Sequence, residues 1–357
     1  MSWLLTIAGF AALIVLHELG HFMAAKAVGM RVERFALFFP PLLVKVRRGE
    51  TEYGIGAIPL GGYVRISGMN PHEELPPEVQ PRAYYRQPPW KRIVVIAAGP
   101  AMNVIIAFLI LFVLYWANGT ASATTRVGKI GLAPPASQVL KSGDQLVAVD
   151  GHGGGPDAIR AAIARHRCAG RPHDGCVATT PARVTVRRGG RQLTFDVRPR
   201  YDAMAAHMRL GFTFATKTTP AGPGRAAHLS LDSMWRVTKG TVLAVARIFD
   251  PAQRKQLSGV VGTSEVLQQT FRYDTTQAFV VLAIISLSLA IINLFPFLPL
   301  DGGHIFWALA EKLRGRPIPF SVMERAGVVG FLLVIMLFVI GLSNDIDRLR
   351  GTGFGPR

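Results

Sequence analysis

His17-Glu18-Leu19-Gly20-His21 sets two imidazoles four residues apart with a carboxylate beside the first. On a helix, positions i and i+4 share a face, so both rings can reach one metal ion. Zinc accepts neutral histidine nitrogens, and a catalytic zinc usually has three protein ligands and an open position for water. Glu18 is placed to take a proton from that water and later return it to a leaving amine. The spacing therefore predicts hydrolysis at one zinc ion held by His17 and His21. A proton or ion pathway is the competing account of the same cluster, since ionisable groups at membrane depth usually mark a function of some kind.

A third ligand must come from elsewhere, and Asp301 is the candidate, in the stretch Asn293-Leu-Phe-Pro-Phe-Leu-Pro-Leu-Asp301-Gly-Gly-His304. Pro296 and Pro299 remove two backbone donors and should break a helix before Asp301. At membrane depth, broken backbone is tolerated only where protein or a water-filled cavity surrounds it. Asn293 could hydrogen-bond a substrate carbonyl or developing oxyanion, or serve as an interhelical hydrogen bond. His304 is read as a polar residue of the inner face, because two histidines and a carboxylate already leave one position open.

Four apolar stretches are long enough to carry these residues across a bilayer, which takes about 20 residues each. They run from about Ser2 to Val28, Ile93 to Ala117, Ala278 to Leu300 and Ala326 to Leu342, and the last three lack Asp, Glu, Lys and Arg. The first is read as a span and not a signal peptide, because no basic residue precedes it and no small-x-small cleavage site follows. Arg31, Arg34, Lys45, Arg47, Arg48, Lys91 and Arg92 flank the first hairpin, and Lys312, Arg314, Arg316 and Arg325 fill the last loop. The positive-inside rule makes those loops cytoplasmic and turns both termini and the long middle segment outward. His17 then lies roughly 20 to 25 Å from the outer end of its span, at about 1.5 Å per residue, with Asp301 at matching depth.

Composition agrees with lipid as the solvent. Half of the 357 residues are hydrophobic, only 17% are charged, and the formal net charge is +18. Soluble domains average about 25% charged residues. Basic flanks beside lipid account for the charge, and nucleic acid is not an expected partner, because neither zinc-finger spacing nor an aromatic-glycine RNA motif is present. Two cysteines exclude a disulfide-rich scaffold.

These motifs together resemble the site-2 protease family of intramembrane zinc metalloproteases (peptidase family M50), in its bacterial PDZ-containing branch of the regulator of sigma-E protease type. The resemblance rests on His17-Glu-Leu-Gly-His21, Pro59-Leu-Gly61-Gly62-Tyr-Val64, Gly99-Pro-Ala-Met-Asn103 and the Asn293 to Asp301 stretch, in that order. Pro299 follows Pro296 by three residues where the family often has two. The resemblance implies one Zn2+ per chain on His17, His21 and Asp301, Glu18 as acid/base, and Asn293 as a substrate-binding residue. It also implies a bacterial inner membrane location, with the active site near the cytoplasmic side. Substrates would be single-pass membrane proteins, some already cleaved by another protease, such as an anti-sigma factor or a signal-peptide remnant. A non-catalytic adaptor holding clients through its outer module is the alternative.

The expected fold is a polytopic α-helical membrane protein with four transmembrane helices, a membrane-associated β-hairpin and one α+β PDZ domain. Residues 1–119 would hold two spans, the zinc motif and a cytoplasmic hairpin. Within it, Glu52 to Ile66 reads as strand, Pro-Gly turn and strand, with Gly61 and Gly62 allowing close approach of a substrate segment added as an extra strand. Pro71 to Pro89 reads as a solvated linker. Residues 120–215 would form the extracytoplasmic PDZ-like domain, acting as a gate for large substrates or as a spacer. Within it Cys168 and Cys176 suit a disulfide, with metal binding beside His173 the other reading. Residues 216–277 would be linker and an amphipathic interfacial helix from Ser230 to Ile248, and 278–357 the last two spans with the third ligand.

Overall fold

The computed structural model describes residues 2–130, 139–173, 175–202, 207–247, 250 and 259–350. Ile248, the end expected for the amphipathic helix, and the C-terminal residues 351–357 lie outside the described residues. The chain divides into two compact units, one made of residues 1–115 and 223–355 and the other chiefly of 116–222.

The first unit is helical with one sheet. Helix α1 (Ser2–Ala27) leads into strands β1 (Val32–Arg48) and β2 (Thr51–Ile66), and helix α2 (Pro89–Asn118) follows. Among the described residues, four helices are long and apolar enough to cross a membrane: Ser2–Ala27, Pro89–Asn118, Thr275–Asn293 and Phe320–Ile346.

β1 and β2 are bent, and each contributes two segments to the sheet. Residues 34–37 of β1 pair with 52–55 of β2 on one side and with 62–65 on the other, while 42–48 of β1 pair again with 51–56. The halves of Glu52–Ile66 therefore do not pair with each other, as a turn at Pro59-Gly61 would require; the first half of β1 lies between them. Prolines account for the change of partner in β1, because Pro40 and Pro41 have no amide hydrogen to give a ladder and lie between its two paired segments. Segment 62–66 is left at an edge of the sheet among the described residues.

The segment from Pro71 to Pro89 is also more than a solvated linker. Ala83 and Tyr84 are buried, with Tyr84 in a cluster with Ala25, Met30, Val32, Ile66, Val95 and Ile96. Arg82 grips Glu50 through Nη1 and Nη2 at 2.7 and 2.9 Å, and Lys26 Nζ lies 2.5 Å from the same carboxylate. Those hydrogen bonds, Arg82 first, hold the Glu50 carboxyl down at about 2.

The second unit opens with β3 (Thr120–Ile130), β4 (Gln145–Val149) and β5 (His152–Gly153), then helix α3 (Pro156–Ala164). Strands β6 (Ala182–Arg188), β7 (Arg191–Val197), β8 (Arg200–Asp202), β9 (His207–Arg209) and β10 (Phe212–Thr219) complete it. The sheet order is β10-β3-β4-β6-β7, with β5 beside β4 and β8 paired with β9. Period-2 alternation sorts β6, sending Val184 and Val186 into the core and Arg183 and Arg187 outward. Ile159, Ala162 and Ile163 of α3 pack into the same core. Buried Asp144 is held by Arg188, whose Nε and Nη2 each lie 2.7 Å from its carboxylate, and this fork keeps the carboxyl below its ordinary range. Cys168 and Cys176 are joined as a disulfide. Residues 116–222 carry 15 Lys and Arg against 6 Asp and Glu, so a net +9 of the chain's +18 lies in this unit. Basic flanks of the spans therefore explain only half of the charge.

Returning to the first unit, α4 (Pro223–Ala246) buries Met234 against Ala107 and Leu111 of α2. Helix α5 (Val260–Tyr273) follows, then α6 (Thr275–Asn293), α7 (Asp301–Arg314) and α8 (Phe320–Arg350). Asp274 caps α6 by accepting from the Gln277 amide, 3.0 Å away. Leu13 of α1, Leu267 of α5 and Leu282 of α6 share a cluster that clamps the first span to the third.

Candidate metal centre

α1 continues as helix through the His17-to-His21 turn, so both imidazoles leave the same face. Across from them α6 ends at Asn293, and α7 begins at Asp301. The seven residues between hold Pro296 and Pro299, which cannot continue a helical ladder. That break puts the Asp301 carboxylate, rather than a helix backbone, opposite the histidines.

His17 Nε2, His21 Nε2 and Asp301 Oδ2 form a triangle with all three sides 3.3 Å. The side chains are nearly closed to solvent, at 9% exposure for each histidine and 18% for Asp301. Ligands at about 2.0 to 2.1 Å from a tetrahedral zinc stand about 3.3 Å apart, so the triangle has the size of one face of that tetrahedron. Hydrogen bonding points the same way. His21 Nδ1 lies 2.9 Å from the Val95 carbonyl, which can only accept, so the ring proton is on Nδ1 and Nε2 presents a lone pair. Asp301 Oδ2 is buried with no hydrogen-bond partner. His21 Nε2 and Asp301 Oδ2 thus turn lone pairs to one buried point, which suits a cation, and two nitrogens with one oxygen suit zinc.

The histidines reach this point because α1 and α2 cross closely. A Cβ on Gly20 would strike the Ala98 carbonyl, and one on Gly99 would strike the His21 ring. Asn103, one turn beyond Gly99, is fully buried with its Nδ2 3.2 Å from His17 Nδ1.

The centre opens into a cavity of about 330 Å³ lined by Glu18, Gly62, Tyr63, Val64, Asn293 and His304 among others. Glu18 is half-buried there. Asn293 Nδ2 stands 3.5 Å from His17 Nε2, the ring atom that faces His21 and Asp301. Gly62 lies against Glu18, since a Cβ there would come within 2.8 Å of Glu18 Cγ. Gly61 sits at the start of the edge segment with φ +147° and does not line the cavity. His304, expected on the inner face, lines the cavity instead.

Two contributors escaped sequence reasoning. The Val95 contact is made by a main-chain carbonyl, which no side-chain pattern announces. Asn103 stood in a recognised motif, and only its spacing of four from Gly99 and eight from Val95 hinted that all three share one stripe.

A buried two-histidine, one-carboxylate centre with a glutamate beside it defines a class of metal-dependent hydrolases, and wider comparison narrows the class. The profile of Peptidase family M50 matches residues 5–337. Zinc metalloprotease Rip1 of Mycobacterium tuberculosis is 32% identical over 380 residues, covering 93% of this chain and 94% of that protein. Rip1 of Mycolicibacterium smegmatis is 32% identical over 361 residues, covering 89% and 88%. A relative from Nostoc sp. is 31% identical across 98% of this chain. The chain belongs to peptidase family M50. It is a zinc metalloprotease and an integral membrane protein.

Proposed function

We propose that this protein cleaves peptide bonds within or beside the transmembrane segment of single-pass membrane proteins. The observation that carries the reading is a zinc-sized triangle of ligand atoms beside a sheet edge, in a unit built from apolar spans. His17, His21 and Asp301 hold the metal. Bound there, zinc supplies Lewis-acid polarisation and makes water nucleophilic near neutral pH. Glu18 takes the proton from the attacking water and returns it to the leaving amine. Asn293 directs its amide N–H groups to the substrate carbonyl oxygen as charge develops there.

A helical substrate cannot react as it stands, because each carbonyl is hydrogen-bonded within the helix and covered by side chains. The edge segment 62–66 offers a remedy, as an unwound stretch can add to it as another strand through main-chain hydrogen bonds. Gly62 keeps that edge close to Glu18, and Gly61 before it has no side chain to hinder an incoming strand. Substrates with helix-breaking or small residues near the cleavage point should therefore react faster. In the proposed orientation, in the bacterial inner membrane, both termini and the 116–222 unit are extracytoplasmic and the centre lies towards the cytoplasm. The 116–222 unit, an α+β module read as PDZ-like, restricts access by bulky outer domains, so pre-trimmed proteins such as an anti-sigma factor or a signal-peptide remnant are the natural substrate class.

The test is co-reconstitution in liposomes with a tagged single-pass substrate carrying a Gly-Pro pair in its span. Wild type should cut inside the span, Glu18→Gln should not cut while retaining about one zinc, and His21→Ala and Asp301→Ala should lose zinc. Cleavage only outside the span, or undiminished cleavage by Glu18→Gln, would overturn the proposal.

A further inference from the structure

The centre described above uses one side of each histidine ring, and the opposite side of His17 raises a problem of proton placement. His17 Nδ1 faces the Asn103 carboxamide nitrogen at 3.2 Å. Asn103 is fully buried, and its Oδ1 has no hydrogen-bond partner. An amide NH2 only donates, so in that pairing Nδ1 would have to accept and the ring proton would sit on Nε2. Nε2 would then point a hydrogen at His21 Nε2 and Asp301 Oδ2, 3.3 Å away, and offer no lone pair to an ion. The two ends of a carboxamide have the same outline, so hydrogen bonding decides which end faces the ring. Turning the amide over brings Oδ1 to Nδ1, accepts the ring proton there and frees Nε2. At the far end nothing is lost, since no donor meets Oδ1 as it stands.

The same helix already does this for the other ligand. Val95 takes the His21 Nδ1 proton on its carbonyl, and Val95, Gly99 and Asn103 follow one another at intervals of four along one stripe of α2. The Asn103 backbone is itself tied down, its carbonyl accepting from Ser286 Oγ of α6 at 2.9 Å.

We propose that Asn103 is the positioning residue for His17, accepting Nδ1–H through Oδ1 and so fixing the tautomer and ring plane that present Nε2 to the metal. α2 thereby orients both histidines without supplying a ligand. The inference rests on His17 and His21 being ligands, so the experiment separates the two ideas.

Zinc affinity of the full-length, detergent-solubilised protein is measured by chelator competition for wild type, Asn103→Leu, Asn103→Asp and His17→Ala. Loss of such an outer partner typically costs 10- to 100-fold in metal affinity, and Asn103→Leu, which keeps the volume and removes the acceptor, should show a loss of about that size. Asn103→Asp keeps the acceptor oxygen and should bind zinc at least as tightly as wild type. Visible absorption of the cobalt(II)-substituted protein should change in Asn103→Leu and match wild type in Asn103→Asp. Wild-type affinity in Asn103→Leu, or an equal loss in both Asn103 variants, overturns the assignment. Should Asn103→Leu not fold, Asn103→Asp decides alone, because weaker binding there contradicts the role. Wild-type affinity in His17→Ala instead removes the ligand set itself.

Discussion

Residues 116–222 spend charge on the surface, while the unit built from the spans keeps its polar groups inside. In the first, 15 basic and 6 acidic residues surround an apolar core, and only Asp144 is a buried charge among the described residues. In the second, Thr6, His17, His21, Asn103, Ser230, Ser286 and Asp345 are buried inside a bundle whose exposed surface includes Leu4, Ile7, Leu109, Phe331 and Leu332. Water satisfies stray polar atoms in one setting, while lipid around the spans offers no such partner in the other. Each polar group of the span unit therefore needs a partner within the protein, as Ser286 has in the Asn103 carbonyl and Asp345 in the amides of Gly259 and Gly262. The atoms left without partners beside the histidines, Asp301 Oδ2 and Asn103 Oδ1, are accordingly informative.

That contrast predicts graded effects. Gly99→Ala should be the most damaging, because its methyl group would collide with the His21 ring and force α1 from α2. Zinc content should fall, and peptidase activity should drop by about 100-fold or more, the scale set by displacements near 1 Å. Normal zinc content in this variant would show that the crossing is looser than the contact implies. Gly62→Ala should act more narrowly. Its methyl would press first on Glu18 Cγ and Ile14 Cγ2, not on His17, His21 or Asp301, so kcat should fall by about tenfold with zinc unchanged. A parallel loss of zinc would mean that the sheet edge holds the ligands as well.

Arg188→Ala transfers the test to the other unit. It strips Asp144 of its fork and should destabilise residues 116–222 by about 1–3 kcal/mol, read as faster limited proteolysis within that stretch, while zinc content stays at the wild-type level. The smallest effect belongs to Glu50. Its folded-state carboxyl, at about 2, lies below the value near 4.5 of the unfolded chain, so its contribution is complete above pH 4.5 and fades as pH falls towards 2. The carboxylate is 30% exposed, so Glu50→Gln should cost no more than about 1 kcal/mol at neutral pH and should flatten the acid limb of the unfolding curve. An unchanged limb would assign acid sensitivity to other carboxylates.

The residues of the candidate metal centre are the most legible part of the chain, because helix periodicity fixes how side chains four apart must point. His17 and His21 meet as their spacing requires, and the proline break delivers Asp301 to them. The sheet was less legible. Whether 52–56 pairs with 62–66 or with β1 depends on where strands bend, and prolines say that a ladder stops without saying where it resumes. Ala83 and Tyr84 were hidden in a proline-rich, acidic stretch whose composition resembles a linker, yet their burial and the Arg82 grip on Glu50 anchor it. Charge was countable from the start, but its placement required knowing which basic residues flank spans and which cover a folded core.

Asp301 lies 280 residues after His21, so the triangle draws its corners from two distant stretches of sequence. A ribosome delivers the two histidines almost together and the carboxylate 280 residues later. Until α7 emerges and joins the bundle, the glutamate beside those histidines has no three-cornered centre to work with. A chain that stopped before α7 would therefore carry the histidine pair and the glutamate without the third corner of the triangle.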